Sequence, residues 1–189
     1  YAAATTATVC DEVYRTLMKM RWQPSLKIIP HYESNPLYID ALVNSIDKKI
    51  KEINWKPDLI VASYHGIPKK YFDKGDPYHC YCHKTTRLIS EKFTSIEIKT
   101  TFQSRFGPQE WLQPYTDKTL ENLPTEGVKN VLTICPGFAS DCVETLEEIQ
   151  IQAKESFLNS GGENFDMVPC LNDNNDHINL LKSLIERNI

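Results

Sequence analysis

The amino-acid sequence predicts an α/β fold in which helices cover both faces of a parallel sheet. Strand-like and helix-like segments alternate along the chain, which is the pattern of this fold class. Residues 58–64 and 128–135 are nearly continuous apolar runs, as expected of strands buried on both faces. Ligands of such folds bind beyond the carboxyl ends of the strands, so we expect the chemistry just after residues 64, 102 and 135.

The elements follow one another in a regular order. Apolar residues recurring every three or four positions predict a helix over residues 5–22 and a second helix that Asn35 and Pro36 open and that runs to Ile50. The strand candidates are residues 26–30, 58–64, 96–102, 128–135 and 165–169. Further helical patterns cover residues 85–93, 116–122 and 140–158, and the polar run 172–176 is predicted to cap a last helix.

Composition narrows the class of protein before any motif is considered. Of the 189 residues 41% are hydrophobic and 24% are charged, which is typical of a globular domain. The formal net charge of -4 lacks the basic surplus that nucleic-acid binding needs. Because no apolar run reaches about 18 residues and no signal peptide is visible at the start, we expect a cytoplasmic protein, with peripheral membrane contact left open. Since the chain starts at Tyr1, not at Met, we expect it to be part of a longer protein.

A histidine follows the strand candidate 58–64. His65 lies in the hexapeptide SYHGIP, where Gly66 and Pro68 predict a turn at the strand end. Imidazole is the usual base and metal ligand near neutral pH. A histidine whose ring simply bonds to neighbouring backbone groups is an equal alternative for this hexapeptide alone.

Acidic residues follow the strand candidate 128–135. If Ser140 is the N-cap of the next helix, Asp141, Glu144 and Glu148 share one helical face. Acids in a first helical turn are commonly explained by the helix dipole, which accounts for Asp141 and Glu144 better than for Glu148. Like charges along one face repel mildly, so a divalent metal between them is the second interpretation.

Four motif blocks in order resemble those of the ferrochelatases. They are SYHGIP at 63–68, KGDPY at 74–78, TTFQSRFG at 100–107 with WL at 111–112 and PYTD at 114–117, and the run 138–148. Tyr1 with Thr5 and Thr6 is also similar to the family's Tyr-Ser-x-x-Thr-Thr segment, although Ala2 stands where serine is usual. The resemblance extends over nearly the whole chain, and the family's first lobe lies outside it.

The resemblance implies a fold, an activity and roles for single residues. The fold is a Rossmann-like three-layer sandwich with a four-stranded parallel sheet, preceded by a remnant of the first lobe at 1–25, spanning 26–172 and followed by a helix at 173–189. The activity is that of a lyase of haem biosynthesis, which inserts Fe(II), as its substrate, into protoporphyrin IX. His65 and Glu144 match the catalytic pair and bind metal, and Asp141 and Glu148 match acids that continue the metal path. Residues implied to contact the porphyrin are Tyr1, Ser63, Trp111 and Phe138.

The cysteines raise a separate question about cofactors. Some ferrochelatases carry a [2Fe-2S] cluster on four cysteines, and the candidate ligands here are Cys80, Cys82, Cys135 and Cys142. A zinc ion held within the run 79–83, by His79, Cys80, Cys82 and His83, is a more cramped alternative. Buried free thiols are the simplest interpretation, above all for Cys10 and Cys170.

Three other functions stay open at the level of sequence. A chelatase for another metal or tetrapyrrole would use the same base and acids. A lobe that binds metal or haem without turnover would show the same residues. A dinucleotide-binding domain is the weakest alternative, because none of the seven glycines forms a GxGxxG turn.

Overall fold

A four-stranded, fully parallel sheet lies at the centre of the computed structural model, which describes all 189 residues. Its strands are β1 (Leu59–His65), β2 (Ile98–Gln103), β3 (Asn130–Ile134) and β4 (Asn164–Met167), arranged in the order β2-β1-β3-β4. The two strands predicted from continuous apolar runs are the two central ones, which agrees with burial on both faces. The predicted parallel sheet is confirmed.

Helices cover both faces of this sheet. They are α1 (Thr8–Leu17), α2 (Pro36–Glu52), α3 (Lys69–Asp73), α4 (Tyr78–Lys92), α5 (Thr116–Asn122), α6 (Val143–Leu146), α7 (Lys154–Asn159) and α8 (Asn175–Glu186). Successive residues of a strand point to opposite faces. Ile60 and Ala62 of β1 therefore pack with α2, α4 and α8, whereas Leu59 and Val61 pack with α5 and α7. The result is the predicted three-layer α/β arrangement.

The amino-terminal elements differ from the prediction. Residues 26–30, predicted as a strand, form no regular structure, and Leu26, Ile28 and Ile29 are exposed. A short apolar run is compatible with several structures, and here no strand of the sheet pairs with it. The first helix is also shorter than predicted, with one π-helical turn at Ala3–Ala7 before α1.

The predicted long helix over residues 140–158 is broken into three parts. Helix α6 is followed by a π-helical segment, Glu148–Ala153, and then by α7. Its N-cap is Cys142 and not Ser140. The Asp141 backbone N–H donates to the Asn172 side chain at 2.9 Å, so the chain takes up helical geometry only after this contact. By contrast, the predicted cap of the last helix is confirmed, because Asn174 accepts from the His177 N–H at 2.8 Å.

Candidate active site

The carboxyl ends of β1 and β2 meet at one edge of the sheet. His65, the last residue of β1, is the register partner of Gln103, the last residue of β2. The loop from β3 to α6 starts beside them, because the Cys135 thiol lies 3.7 Å from the Gln103 side-chain oxygen. The predicted position of His65 at the carboxyl end of its strand is confirmed, and this is the edge at which folds of this class bind ligands.

The half-buried imidazole of His65 presents one free nitrogen. Its Nδ1 lies 2.6 Å from the Gly66 carbonyl oxygen. A carbonyl oxygen only accepts hydrogen bonds, so Nδ1 carries a proton, and in the neutral imidazole the lone pair is on Nε2. The Phe138 ring, which stands over this edge, is centred 6.3 Å from the imidazole. His65 therefore offers a base or a metal ligand beside an aromatic wall.

Close packing fixes the turn after His65. The Gly66 N–H donates to the Gln103 carbonyl at 2.8 Å. A Cβ atom at Gly66 would stand 2.9 Å from that carbonyl oxygen and 3.2 Å from the Trp111 ring, which explains the glycine. Trp111 is itself only 4% exposed, and its indole N–H donates to the Phe106 carbonyl at 2.9 Å. The Trp111 ring therefore packs against the turn at Gly66, and little of its surface is accessible to a ligand.

The KGDPY block holds both His65 and the amino terminus in place. The Tyr78 hydroxyl donates to the His65 carbonyl at 2.9 Å, and burial raises the pKa of this phenol, so it stays a donor. The Asp76 carboxylate accepts from the Tyr78 N–H at 2.9 Å and from the Ala3 N–H at 2.8 Å. One turn therefore connects Tyr1, through Ala3, with His65, a role that the sequence did not indicate.

Glu144 lies in the first turn of α6 with its carboxylate partly exposed. Hydrogen bonding by the Cys142 thiol and by its own backbone N–H holds the pKa of Glu144 below its usual value, and the nearby His65 contributes in the same direction. The carboxylate is therefore charged at neutral pH. The Gln103 side-chain nitrogen, at the end of β2, donates to the Glu144 backbone carbonyl at 2.7 Å, so α6 begins at the same edge of the sheet as His65.

Asp141 lies outside the helix that carries Glu144, so the predicted helical face does not include it, and Glu148 opens the π-helical segment after α6. Asp141 precedes the N-cap, and its carboxylate accepts from the Asn172 side chain at 2.7 Å and the Cys170 N–H at 3.1 Å. Burial alone would raise the pKa of Asp141, but these hydrogen bonds outweigh it and lower the pKa. The Glu148 carboxylate accepts from the N–H and the hydroxyl of Ser104. Both carboxylates therefore accept hydrogen bonds from the protein.

Ser63, predicted to contact substrate, is instead part of the interior. Its side chain is fully buried. The hydroxyl donates to the Gln103 side-chain oxygen at 2.7 Å and lies 2.8 Å from the Thr116 hydroxyl. The prediction fails because β1 continues to His65, so Ser63 lies inside the sheet two residues before its end.

The predicted cysteine cofactors are not supported. No group of three or more His, Cys, Asp or Glu side chains in the chain is arranged to hold a metal ion, so neither the [2Fe-2S] set nor the zinc set is supported. Cys80 and Cys82 lie on α4, where residues two apart point to opposite sides. Cys80 is exposed, whereas Cys82 is buried, and burial raises its pKa to about 12. Cys135 is also buried, and Cys142 lies at the N-cap of α6.

A large cavity lies between α1, the loop after it and the sandwich. Its volume is about 810 Å³, within the range of pockets that hold small organic ligands. Seven tyrosines line it: Tyr1, Tyr14, Tyr32, Tyr38, Tyr64, Tyr78 and Tyr81. His65 and Glu144 do not line it, but Tyr64 and Gly137 place it directly beside their edge of the sheet. The sequence did not reveal this cavity, because its walls come from segments far apart in the chain.

Comparison with known proteins gives a consistent result. The family model described as Ferrochelatase matches residues 1–189. Similar curated relatives are the ferrochelatases of Allorhizobium ampelinum (55% identical), Rhizobium meliloti (56%) and Brucella anthropi (49%). Each alignment covers 100% of this chain but 55% or 56% of the relative, so the chain spans little more than half the length of these proteins. None of its helices combines the length and the apolar composition that crossing a membrane requires.

Proposed function

Because the chain belongs to the ferrochelatase family, we propose that the whole protein inserts ferrous iron into protoporphyrin IX, forming protohaem in the last step of haem biosynthesis. The observation that supports the proposal is the position of His65 and Glu144 at one edge of the sheet, where Gln103, the register partner of His65, donates to the Glu144 backbone carbonyl at 2.7 Å. The relatives reported above are all named ferrochelatase. Their names support this activity over the two alternatives, a chelatase of another kind and a lobe without turnover.

The reaction requires a proton acceptor. Two pyrrole N–H bonds break as ferrous iron enters the ring, so each turnover releases two protons and forms bonds from iron to the ring nitrogens. In this proposal His65 Nε2 receives the pyrrole protons and passes them to water. The hydrogen bond between Nδ1 and the Gly66 carbonyl keeps Nε2 available for that role.

The reaction also requires a route for a hydrated metal ion. Carboxylate oxygen and imidazole nitrogen are both suitable ligands for divalent first-row metals, so Glu144 is proposed to replace water on the iron and to deliver it beside His65. Asp141 and Glu148 are implied by the resemblance to continue this path, and both carboxylates also accept hydrogen bonds that hold them to neighbouring segments.

The porphyrin is proposed to lie against the aromatic side chains around this edge. Phe138 provides a wall near His65, Tyr1 borders the adjacent cavity, and Trp111 supports the turn beneath.

We propose that residues 1–25 belong with the amino-terminal lobe, that 26–172 form the chelatase domain and that 173–189 close it. A cytoplasmic location is part of the proposal and is supported by six cysteines that are all free.

The test is iron insertion by the whole protein carrying His65→Ala or Glu144→Gln. Loss of a positioned proton acceptor costs roughly 10²-fold to 10⁴-fold in rate, and we expect a loss of that order for His65→Ala. The rate is measured as the decrease in porphyrin fluorescence while haem forms. The matched control is His83→Ala, which removes an exposed imidazole from α4. Full turnover by His65→Ala would contradict the proposal.

A further inference from the structure

A buried amide lies between the two proposed catalytic residues. The Gln103 side chain at the end of β2 is 4% exposed. Its Nε2 donates to the backbone carbonyl of Glu144 at 2.7 Å, while its own backbone carbonyl accepts from Gly66, the residue after His65. One residue therefore connects the turn that carries His65 with the helix that carries Glu144.

The other side of this amide is fixed to the sheet. Gln103 Oε1 accepts from the Ser63 hydroxyl at 2.7 Å, and that hydroxyl also pairs with Thr116. The oxygen of Gln103 therefore belongs to the rigid interior, and its nitrogen points toward α6. A buried amide without a hydrogen-bond partner lowers the stability of the folded protein by the full cost of desolvation. These contacts therefore fix the direction of the Gln103 side chain.

Glu148, the first residue of the π-helical segment after α6, also contacts the end of β2. Its carboxylate accepts from the Ser104 N–H at 2.7 Å, from the Ser104 hydroxyl at 2.5 Å and from Gln103 Nε2 at 3.3 Å. Ser104 has a φ of 62°, a backbone conformation that residues other than glycine rarely adopt. The two hydrogen bonds to Glu148 stabilise that conformation directly after Gln103.

We propose that Gln103 and Glu148 are positioning residues for iron insertion, joining the end of β2 to α6 and to the π-helical segment after it, so that His65 and Glu144 keep a fixed relative position. This inference rests on the proposed function. It follows from the hydrogen bonds that Gln103 Nε2 donates to the Glu144 carbonyl and that Glu148 accepts from Ser104 and Gln103.

The test uses isosteric variants of the whole protein. Glu148→Gln keeps the shape but removes the charge, and Gln103→Glu removes the donors to Glu144 and Glu148. Because small misplacements of catalytic groups cost up to about 10²-fold in rate, we expect kcat to fall at least about tenfold in each, with the KM for iron changed less than about twofold. Thr101→Val is the matched control, since Thr101 is buried on the same face of β2 and bonds only to Thr116.

Two outcomes would overturn the inference. A KM for ferrous iron that rises at least about tenfold in Glu148→Gln at unchanged kcat would make Glu148 a ligand. Kinetics of Gln103→Glu that equal those of Thr101→Val would show that the amide does not position Glu144.

A second measurement does not depend on turnover. Amide hydrogen exchange at Gly66 and across residues 143–148 is expected to be about tenfold faster in both isosteric variants than in the wild type, and unchanged in Thr101→Val. Unchanged exchange in the two variants would also overturn the inference. If the wild-type protein inserts no iron, the proposed function fails while the exchange data still decide the positioning role.

Discussion

The amino-terminal segment, residues 1–35, and the sandwich, residues 36–189, are stabilised in different ways. Ala2 is the only buried residue of the segment, although its helix α1 has a clear apolar stripe. Large apolar side chains such as Met18 and Trp22 are 82% and 75% exposed. The sandwich instead contains two apolar clusters of 20 and 12 buried residues. An amphipathic pattern therefore predicts a helix, but burial depends on whether a partner surface is present.

Polar contacts join the segment to the sandwich. Asp76 accepts from the Ala3 N–H, and the Glu33 carboxylate lies 2.9 Å from Lys84 Nζ. The Thr85 hydroxyl donates to the Glu33 carbonyl at 2.9 Å. These contacts are few, and each contributes far less than the burial of one large apolar side chain.

The largest loss of stability is expected in the core of the sandwich, at Phe157. Its ring is fully buried between α7 and the sheet, so Phe157→Ala is expected to lower the free energy of unfolding by about 3–5 kcal/mol. Leu158→Ala on the same helix removes a side chain that is 37% exposed and should cost clearly less. Equal losses in denaturant titrations would contradict the assignment of the core.

An intermediate effect is expected at the contact between the two regions. Asp76→Ala leaves the N–H groups of Ala3 and Tyr78 without their acceptor, which is expected to cost about 1–3 kcal/mol. Hydrogen exchange at Ala3 should also become faster. Asp73→Ala, which removes an exposed carboxylate paired with Lys69, is the control and should have little effect on either quantity.

A smaller, pH-dependent effect is expected at Glu33. Burial alone would raise its pKa, but hydrogen bonds from Lys84 and His31 outweigh it, so the folded-state pKa is lowered. A lowered carboxyl pKa adds stability above the unfolded-state pKa, and that stability disappears as the pH falls through the folded-state value. Wild type should therefore be more stable than Glu33→Gln at pH 7, by less than about 1 kcal/mol. The difference should start to shrink near the unfolded-state pKa, about 4.3, and vanish only below the lower folded-state pKa; a difference that stays the same throughout this acid titration would refute this role.

The smallest effect is expected within the segment itself. Because Trp22 is 75% exposed in this chain, Trp22→Ala should change the free energy of unfolding by no more than about 0.5 kcal/mol. Trp111→Ala, which removes a buried indole, provides the contrast and should cost about 3–5 kcal/mol. A large loss for Trp22→Ala would show that the segment is held more firmly than its exposure indicates.

The sequence by itself determined the layered architecture and the position of His65. Continuous apolar runs identify β1 and β3 because burial on both faces leaves no polar positions in a strand, and the turn residues after β1 place His65 at the ligand-binding edge. The motif blocks identify the family and pair His65 with Glu144. These features are local or repeat along the chain, so a single sequence displays them.

Only the tertiary structure decided which carboxylates are free and which polar groups hold the site. The contact between Asp141 and Asn172, 31 residues apart, moves the helix start to Cys142, and Ser104 binds Glu148 from 44 residues away. Residues 26–30 show the same limit, because no neighbouring strand pairs with that apolar run. Gln103 lies in a recognised block, yet its role depends on Ser63, Glu144 and Glu148. Such roles arise from partners brought together by folding, and spacing along the chain does not specify them.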